Sequence, residues 1–306
     1  MVANQHRRDI LREVYRARYI YLLLLPTVVL VGLFQYFPAL SAVYYSLFHW
    51  DGTSTWWAGW DNYLRMFRER QFITSVVNML KLTGFSVLVG TIMPLFVAVL
   101  IHRLRSARLE FLYRVAFVLP TVVPGVVTIL LWKYIYRSDG LLNAVLQHLG
   151  LAELARPWLG DFDMALYALM FMGFPWVSGI NVLIYSAGLQ SIPDDVVDAA
   201  VIDGVNPLQM FSRIELPYVL GQLKLVLILG IIGGFQGYVT PLLMTNGGPG
   251  WATQVPALRM YQAAAEEQLY GYASAIGVVL FTVVLGMTLL SYKLMRSSVE
   301  YEGTRV

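Results

Sequence analysis

The chain has 306 residues, 58% of them hydrophobic and only 13% charged, whereas a soluble domain carries about a quarter charged residues and roughly 45–50% apolar ones. With a mean hydropathy of +0.60, this composition excludes an ordinary soluble protein and indicates one polytopic membrane domain over residues 1–306. The small net charge of +3 argues against a nucleic-acid partner, and the absence of cysteine excludes disulfides, thiolate metal sites and thiol catalysis.

Six stretches are apolar over the length of about 20 residues that a helix needs to cross a bilayer. In chain order they are residues 20–40, 74–101, 112–135, 163–187, 219–243 and 272–294. Proline interrupts the first stretch at Pro26, the third at Pro120 and Pro124, and the fourth at Pro175. A helical bundle tolerates such kinks because neighbouring helices satisfy the freed carbonyls. The sequence therefore predicts an all-α integral membrane fold with six transmembrane helices.

The distribution of lysine and arginine predicts which ends of the spans face the cytoplasm. Arginines crowd the chain before the first span, and the segment HRLRSAR, residues 102–108, joins the second span to the third. Since positively charged loops stay on the cytoplasmic side, we expect residues 1–19 and the C-terminus to be cytoplasmic. The first apolar stretch is too long for a signal-peptide core and is predicted to remain as an uncleaved span.

The opposite side of the membrane would then carry three loops. They are residues 41–73, 136–162 and 244–271. Tryptophans crowd residues 50–60 of the first loop, where we expect an aromatic belt or a contact with a partner. Residues 140–150 of the second loop are apolar at helical spacing, which predicts a helix lying in the membrane interface.

Residues 188–218, between the fourth and fifth spans, are polar and carry strong helix signals. Ser191 can cap a helix and Pro193 can occupy its first turn. Gly204 can end that helix in a left-handed conformation, and Asn206 with the following proline can start a second one. Such a helix–turn–helix outside the bilayer is either an ordinary amphipathic loop or a docking element through which a soluble partner moves the spans.

Within this segment Asp198-Ala-Ala is followed after three residues by Gly204, and after nine more by Ile214-x-Leu-Pro217. This spacing resembles the EAA loop of binding-protein-dependent ABC importer permeases, of the type I, MetI-like fold. In that family the loop forms coupling helices that dock into a cleft on the ATP-binding subunit. Asp198 stands where the family has Glu, so the acid is kept but is one methylene shorter. The resemblance implies contact with an ATPase through Asp195, Asp198, Ala199, Ala200, Asp203, Gly204, Phe211, Ile214 and Pro217.

Further motifs resemble the carbohydrate branch of the same family, the branch of the maltose and glycerol-phosphate importers. They are Trp60-Asp-Asn-Tyr63, Leu119-Pro120, Ala187-Gly-Leu-Gln-Ser-Ile-Pro193, Ile202-Asp-Gly204, Thr245-Asn-Gly-Gly-Pro249 with Thr253, and Gly271-Tyr-Ala-Ser-Ala275. Their order and spacing cover nearly the whole chain. The five spans between residues 74 and 294 would form the family's shared core, with the first span packed outside.

The resemblance also implies an assembly and a mechanism. A second permease chain, usually a different one, would complete the transport path, two ATP-binding subunits would bind ATP and Mg²⁺, and an extracytoplasmic solute-binding protein would deliver a mono- or oligosaccharide or a polyol. Transport would proceed by alternating access. The complex would lie in the cytoplasmic (inner) membrane of a bacterium or archaeon.

Several residues of the fourth and fifth spans are candidates for the substrate pathway. Aromatic and amide side chains there can stack on and hydrogen-bond a sugar, and bare glycine backbone leaves room for it. An uncharged polar group at bilayer depth is costly unless it faces protein or water. The candidates are Trp176, Asn181, Tyr185, Gly233, Gln236 and Tyr238. Ordinary helix packing remains the alternative for each of them.

The chain contains no GxxxxGK[ST] phosphate loop, so ATP hydrolysis is expected in separate subunits, and no cofactor or enzymatic activity is expected in this chain. Its four histidines show no metal-binding spacing. Two alternatives remain. One is the same architecture serving a non-sugar solute such as a glycerophosphodiester, a phosphonate or an oxyanion. The other is an ATP-independent secondary transporter or channel, which would need intramembrane charges for ion coupling.

Overall fold

The computed structural model describes residues 17–104 and 106–294 of the chain, with side chains as far as residue 291. The prediction of a cytoplasmic C-terminus lies outside these residues. The predictions on residues 1–19 and on the loop that contains Arg105 lie partly outside them.

Most of the described chain is helical. The helices are α1 (Arg18–Tyr45), α2 (Asp61–Arg68), α3 (Arg70–His102), α4 (Ala107–Val122), α5 (Gly125–Ile135), α6 (Leu141–His148), α7 (Ala165–Phe171), α8 (Gly179–Leu189), α9 (Asp194–Ile202), α10 (Pro207–Tyr218), α11 (Leu220–Gln236), α12 (Val239–Thr245), α13 (Pro256–Ala265) and α14 (Tyr270–Leu294). Helix α6 confirms the helix predicted within residues 140–150. A short 3₁₀ turn, Ala152–Leu154, follows it.

Helices α1, α3 and α14 are each long and apolar enough to cross a membrane. Helices α4 and α5 form an apolar pair bent by 85°, and α10 and α11 form a second pair bent by 70°. The first bend follows from Pro124, which holds Val123 in an extended conformation between the two helices. The interruption predicted at this point of the third span is confirmed. With each bent pair counted as one span, the structure accounts for up to five of the six predicted spans.

The fourth predicted span, residues 163–187, is not one continuous helix. Helix α7 ends at Phe171, and seven residues separate it from α8. Gly173 adopts a φ of +85° and Trp176 a φ of +57°, neither of which a right-handed helix accommodates. Pro175 between them has no amide hydrogen to donate. The interruption predicted at Pro175 is confirmed, and it extends over residues 172–178.

A β-hairpin departs from the all-α prediction. Strands β1 (Phe48–Trp50) and β2 (Thr55–Trp57) pair antiparallel within the loop predicted at residues 41–73. Asp51 closes the turn, because its carboxylate accepts hydrogen bonds from the backbone amides of Thr53 and Ser54 at 2.9 and 2.7 Å. These hydrogen bonds, with those from the Ser54 and Thr53 hydroxyls, hold the pKa of Asp51 well below its usual range. Hydropathy alone carries no signal for so short a hairpin.

Helix α3 is the central element of the bundle. It contacts α4, α7, α8, α11 and α13 along its length. Near its C-terminal end, Leu95, Ala98 and Val99 belong to a buried cluster with Val182 and Leu189 of α8. Near its N-terminal end, Phe72 is buried in a second cluster with residues of α2, α13 and α14. A displacement of α3 therefore reaches most of the bundle.

Candidate functional site

The polar segment predicted at residues 188–218 forms two helices joined by a tight turn, and residues 194–218 are here named the foot. Helix α9 begins directly after Pro193, whose fixed φ suits the start of a helix. The sequence also predicts Ser191 as the cap of this helix, but its hydroxyl donates instead to the carbonyl of Gly188 at 2.7 Å. The start of the foot therefore depends on the proline and on two aspartates in the first turn, which interact favourably with the helix dipole.

The turn of the foot has the geometry that the sequence predicts. Gly204 ends α9 with a φ of +70°, in the left-handed conformation. Asn206 caps α10 through a reciprocal pair of hydrogen bonds. Its Oδ1 accepts from the amide of Gln209 at 2.9 Å, and its own amide donates to Gln209 Oε1 at 3.1 Å. These contacts set the angle between α9 and α10.

The tip of the foot is apolar and exposed. Ile202 is 85% exposed, Leu208 75% and Val201 64%. The carboxylates of Asp198 and Asp203 are exposed beside them. Contiguous apolar side chains with a polar rim mark an interaction surface more often than a bare loop. The foot therefore presents an exposed apolar tip with an acidic border.

The inner face of the foot packs against a buried cluster formed by residues of α3, α8 and α11. Val197, Phe211 and Ile214 pack against the buried cluster that includes Leu95 and Val99. This apolar contact holds the foot at the end of the bundle while its tip remains free.

A bidentate ion pair joins the foot to the end of α3. Arg103, the residue after α3, donates from Nε to Glu215 Oε1 at 2.9 Å and from Nη2 to Oε2 at 2.6 Å. Its Nη2 also donates to the carbonyl of Pro207 at 3.0 Å. The Glu215 side chain is only 5% exposed, so removal of Arg103 would leave a buried carboxylate without its partner. The hydrogen bond with Glu215 raises the pKa of Arg103 above its already high usual value.

A second arginine, which unlike Arg103 is buried, holds the opposite end of α3. Arg259 of α13 is 2% exposed and donates to Glu267 at 2.6 Å and to Glu69, the residue before α3, at 3.2 Å. The Tyr272 hydroxyl donates to the same Glu69. Burial by itself lowers the pKa of Arg259, but the hydrogen bond with Glu267 and the charges of Glu69 and Glu267 outweigh it and raise the pKa. Both ends of α3 are thus tied by arginine–glutamate contacts.

A cleft of about 290 Å³ opens beside the middle of α3 and is bounded by α11, α12 and the break between α7 and α8. Its lining combines apolar side chains with small, hydroxylic and aromatic ones. The apolar residues are Leu82, Val89, Leu169, Met170, Met172, Pro241 and Val255, and the others are Thr83, Phe85, Ser86, Gly90, Trp176, Gly234, Gly237 and Thr240. Helix α11 ends here at Gln236, short of residue 243, where the sequence placed the end of the fifth span. The described residues contain no group of three or more His, Cys, Asp or Glu side chains that would hold a metal.

Glycine lets α11 approach α3 closely at this cleft. A Cβ built on Gly234 would lie 2.5 Å from Cγ2 and Oγ1 of Thr83, and one built on Gly230 would lie 3.3 Å from Val87. These two glycines therefore allow α11 and α3 to pack closely. A Cβ built on Gly233 would meet no heavy atom within 4 Å outside its own helix turn in the described chain, so that glycine faces open space instead.

A family model described as the inner membrane component of binding-protein-dependent transport systems matches residues 87–296. The chain belongs to this family. The resemblance recognised in the sequence is thereby confirmed, and the chain is a permease integral to the inner membrane.

Two relatives and one solved structure extend the comparison. The permease is 31% identical to the probable ABC transporter permease protein YurN of Bacillus subtilis, over 92% of this chain and 97% of that one. It is 29% identical to the multiple sugar-binding transport system permease protein MsmF of Streptococcus mutans, over 93% and 97%. A bacterial alginate ABC transporter, solved in complex with an alginate pentasaccharide-bound periplasmic protein, shares the fold with a TM-score of 0.82 at 23% identity, over 93% of this chain and 96% of that one.

The predicted pathway residues are not gathered in one place in the permease. Trp176 lines the cleft, and its indole donates to the carbonyl of Met170 at 3.0 Å. Asn181 lies beside it and donates to the carbonyl of Gly90 at 3.1 Å. Tyr185 is fully buried in the cluster below the cleft. These positions make Trp176 the best placed of the three to meet a solute.

The remaining pathway candidates lie at the end of α11. Gly233 and Gln236 are exposed on a face of α11 outside the cleft lining. Tyr238 stacks on Tyr261 of α13, with ring centroids 5.5 Å apart. Their part in the pathway remains a prediction.

The nine residues predicted to contact an ATPase divide between two faces of the foot. The exposed ones are Asp195, Asp198, Ala199, Asp203, Gly204 and Pro217. Ala200 is 6% exposed, and Phe211 and Ile214 pack against the α3 cluster. The first group is available to a partner, and the second group positions the foot on the permease.

Sequence reasoning missed Arg103 and Glu215, and it missed the hydroxyls of Thr83 and Ser86 in the cleft. Arg103 counted only as one of several loop arginines, and Glu215 fell on the unspecified position of the Ile-x-Leu-Pro motif. Their pairing joins positions 112 residues apart, which a single sequence does not reveal.

Proposed function

We propose that this permease is the membrane-spanning subunit of an ATP-driven importer that takes up a carbohydrate delivered by an extracytoplasmic solute-binding protein. MsmF is named as part of a sugar-binding transport system, and the alginate transporter was solved with a saccharide-loaded periplasmic protein. Both support this solute class and this mode of delivery. The foot lies on the cytoplasmic side in this proposal, together with both chain termini.

The foot carries the proposal. Its exposed tip of Val201, Ile202 and Leu208 has an acidic border, and the chain has no phosphate loop of its own. Because this protein has no ATP-binding motif of its own, such a surface is well suited to dock on a separate ATPase subunit. ATP and Mg²⁺ would bind to that subunit. The carboxylates of Asp198 and Asp203 would meet basic groups at the rim of that docking site.

The position of the foot suggests how nucleotide would move the membrane helices. Helix α8 leads into the foot, and α10 leads out of it through the 70° bend into α11. Helix α11 borders the cleft, and the break that precedes α8 borders it too. A displacement of the foot on ATP-driven closure of the ATPase pair would therefore reshape the cleft and alternate its access. This requires that the foot bind the closed and open ATPase pair with different affinity, because otherwise nucleotide shifts nothing.

The cleft is the proposed half-site for the solute. It is open on one side, so we propose that a second permease chain, different from this one, completes it. Trp176 offers an aromatic face, and Ser86 and Thr240 offer hydroxyls, a combination that suits the ring faces and hydroxyls of a sugar.

Co-purification with an ATPase provides the test. The transporter is expressed from its full set of genes with a tag on this chain. The variant Ile202→Glu is compared with the control Leu149→Glu, because Leu149 is a similarly exposed residue at the end of α6, remote from the foot. We expect the ATPase subunit to co-purify with the wild type and with Leu149→Glu but to be lost from Ile202→Glu. Equal recovery of the ATPase with both variants would contradict docking through the foot. Ion-gradient-driven uptake by proteoliposomes that contain this chain alone would instead support a secondary transporter.

A further inference from the structure

The ion pair between Arg103 and Glu215 holds more of the foot than a single side-chain contact does. Arg103 binds α10 at its first residue, through the carbonyl of Pro207, and again two turns further on, through both oxygens of Glu215. A bidentate guanidinium–carboxylate contact fixes orientation as well as distance. One side chain at the end of α3 therefore fixes both the position and the tilt of α10.

Apolar packing alone does not fix the position and tilt of α10. A cavity of about 500 Å³ lies between the foot and the end of α3, and its lining includes Val197, Val201, Val205, Met210 and the ion pair itself. The foot is thus incompletely packed on the side where it faces α3. An element seated over a cavity is free to rock unless a directional contact prevents it, because interiors resist movement through close packing.

Helix α3 connects this ion pair with the cleft. Its residues Thr83, Ser86 and Gly90 form one wall of the cleft, and Arg103 follows its last turn. At 1.5 Å per residue, an α-helix spans the distance from Gly90 to Arg103 in roughly 20 Å. The far end of α3 is held by Glu69 and Arg259, so a force applied at Arg103 acts on a helix that is fixed at its other end.

We propose that the Arg103–Glu215 pair is the link through which the foot moves α3, so that one wall of the cleft follows the ATPase. The other wall, α11, follows the foot through the chain itself. Without the link, the foot would rock over its cavity, and ATP would be hydrolysed with little movement of α3. This inference rests on the proposed function of the foot and assigns Arg103 and Glu215 as positioning residues within it.

The test measures solute uptake and ATP hydrolysis on the same proteoliposomes of the assembled transporter. The variants are Arg103→Gln, Glu215→Gln and the exchanged pair Arg103→Glu with Glu215→Arg. Arg137→Gln is the matched control, because Arg137 makes a bidentate pair with Asp139 at 2.8 and 3.0 Å, exposed and remote from the foot.

Each single variant is expected to co-purify with the ATPase and to hydrolyse ATP within about twofold of the wild type, while uptake per ATP falls by about tenfold. Uptake per ATP should recover at least in part in the exchanged pair and should be unchanged in the control. Wild-type uptake per ATP in both single variants would overturn the proposal. Loss of assembly in all three variants would overturn it as well, because the pair would then be structural and would not transmit movement.

Failure of the proposed function gives a different pattern. In that case the wild-type chain itself does not co-purify with an ATPase, and Ile202→Glu changes nothing. If the wild type assembles and Ile202→Glu disrupts the assembly, the foot stands as the docking element, and the ratio of uptake to hydrolysis then decides the role of the ion pair.

Discussion

Replacing Gly204 by alanine is expected to lower uptake per ATP while the protein stays in the membrane. Gly204 holds a φ of +70°, and a Cβ built on it meets no atom of the described residues within 4 Å. A steric clash with another part of the described chain therefore does not explain an effect of this substitution. What remains is the cost of the left-handed conformation for an L-residue, about 1–2 kcal/mol.

This cost sets the size of the expected effect. A difference of about 1–2 kcal/mol changes a two-state ratio by roughly 5- to 30-fold. In the alanine variant, the fraction of molecules in which α9 and α10 keep the angle seen in the structure falls by up to that factor. We expect uptake per ATP to fall with it. Gly204→Asn should lose less, because asparagine enters the left-handed region more readily than other side chains.

Gly221→Ala is the matched control. Gly221 lies in α11, and a Cβ there is likewise more than 4 Å from every atom of the described chain outside its own helix turn. Alanine is favoured over glycine in a helix by about 0.5–1 kcal/mol, so this variant should assemble and transport like the wild type. Uptake and ATP hydrolysis are measured together on proteoliposomes. Unchanged uptake per ATP in Gly204→Ala would refute the role of the turn.

Three further predictions concern Asp198, Gly234 and Arg259. Asp198→Lys should reduce uptake at least tenfold while the protein reaches the membrane in normal amount. A loss of about 1.4 kcal/mol in binding free energy already lowers an affinity tenfold, and a reversed charge at a contact costs more. Asp198→Glu should retain uptake. Gly234→Ala should destabilise the protein by about 1–3 kcal/mol, because its methyl group would meet the Thr83 side chain at 2.5 Å. Thr83→Ala should recover part of that loss in the thermal unfolding midpoint, and no recovery would contradict the contact. Arg259→Met should cost about 3 kcal/mol, because it leaves two carboxylates without their cation, and an unchanged unfolding midpoint would count against this.

The turn of the foot was predictable because its signals are local. A left-handed glycine, a capping asparagine and a proline each act within a few residues, so Gly204, Asn206 and Pro207 specify the turn wherever they occur. The same holds for the bend at Pro124. Family membership was also predictable, since it rests on the spacing of such local signals along the chain.

Contacts between distant elements were not predictable in this way. Arg103 and Glu215 are each unremarkable in sequence and gain their role only when α3 and α10 meet. Tyr185 shows the converse, since an aromatic residue near the candidate pathway in sequence proves to be fully buried in the core. Hydropathy also treats residues 172–178 as part of a span, because it reports the polarity of side chains and not the hydrogen bonds of the backbone.

Residues 172–178 carry backbone amides and carbonyls outside any helix, and Phe174 among them is 55% exposed. In hydrocarbon an unsatisfied backbone group costs several kcal/mol, so irregular chain is stable at that depth only against protein or water. Without the second permease chain proposed above, this stretch would face lipid and lose that protection. We therefore expect the chain to decay more slowly in a pulse-chase measurement when the proposed partner subunits are synthesised with it.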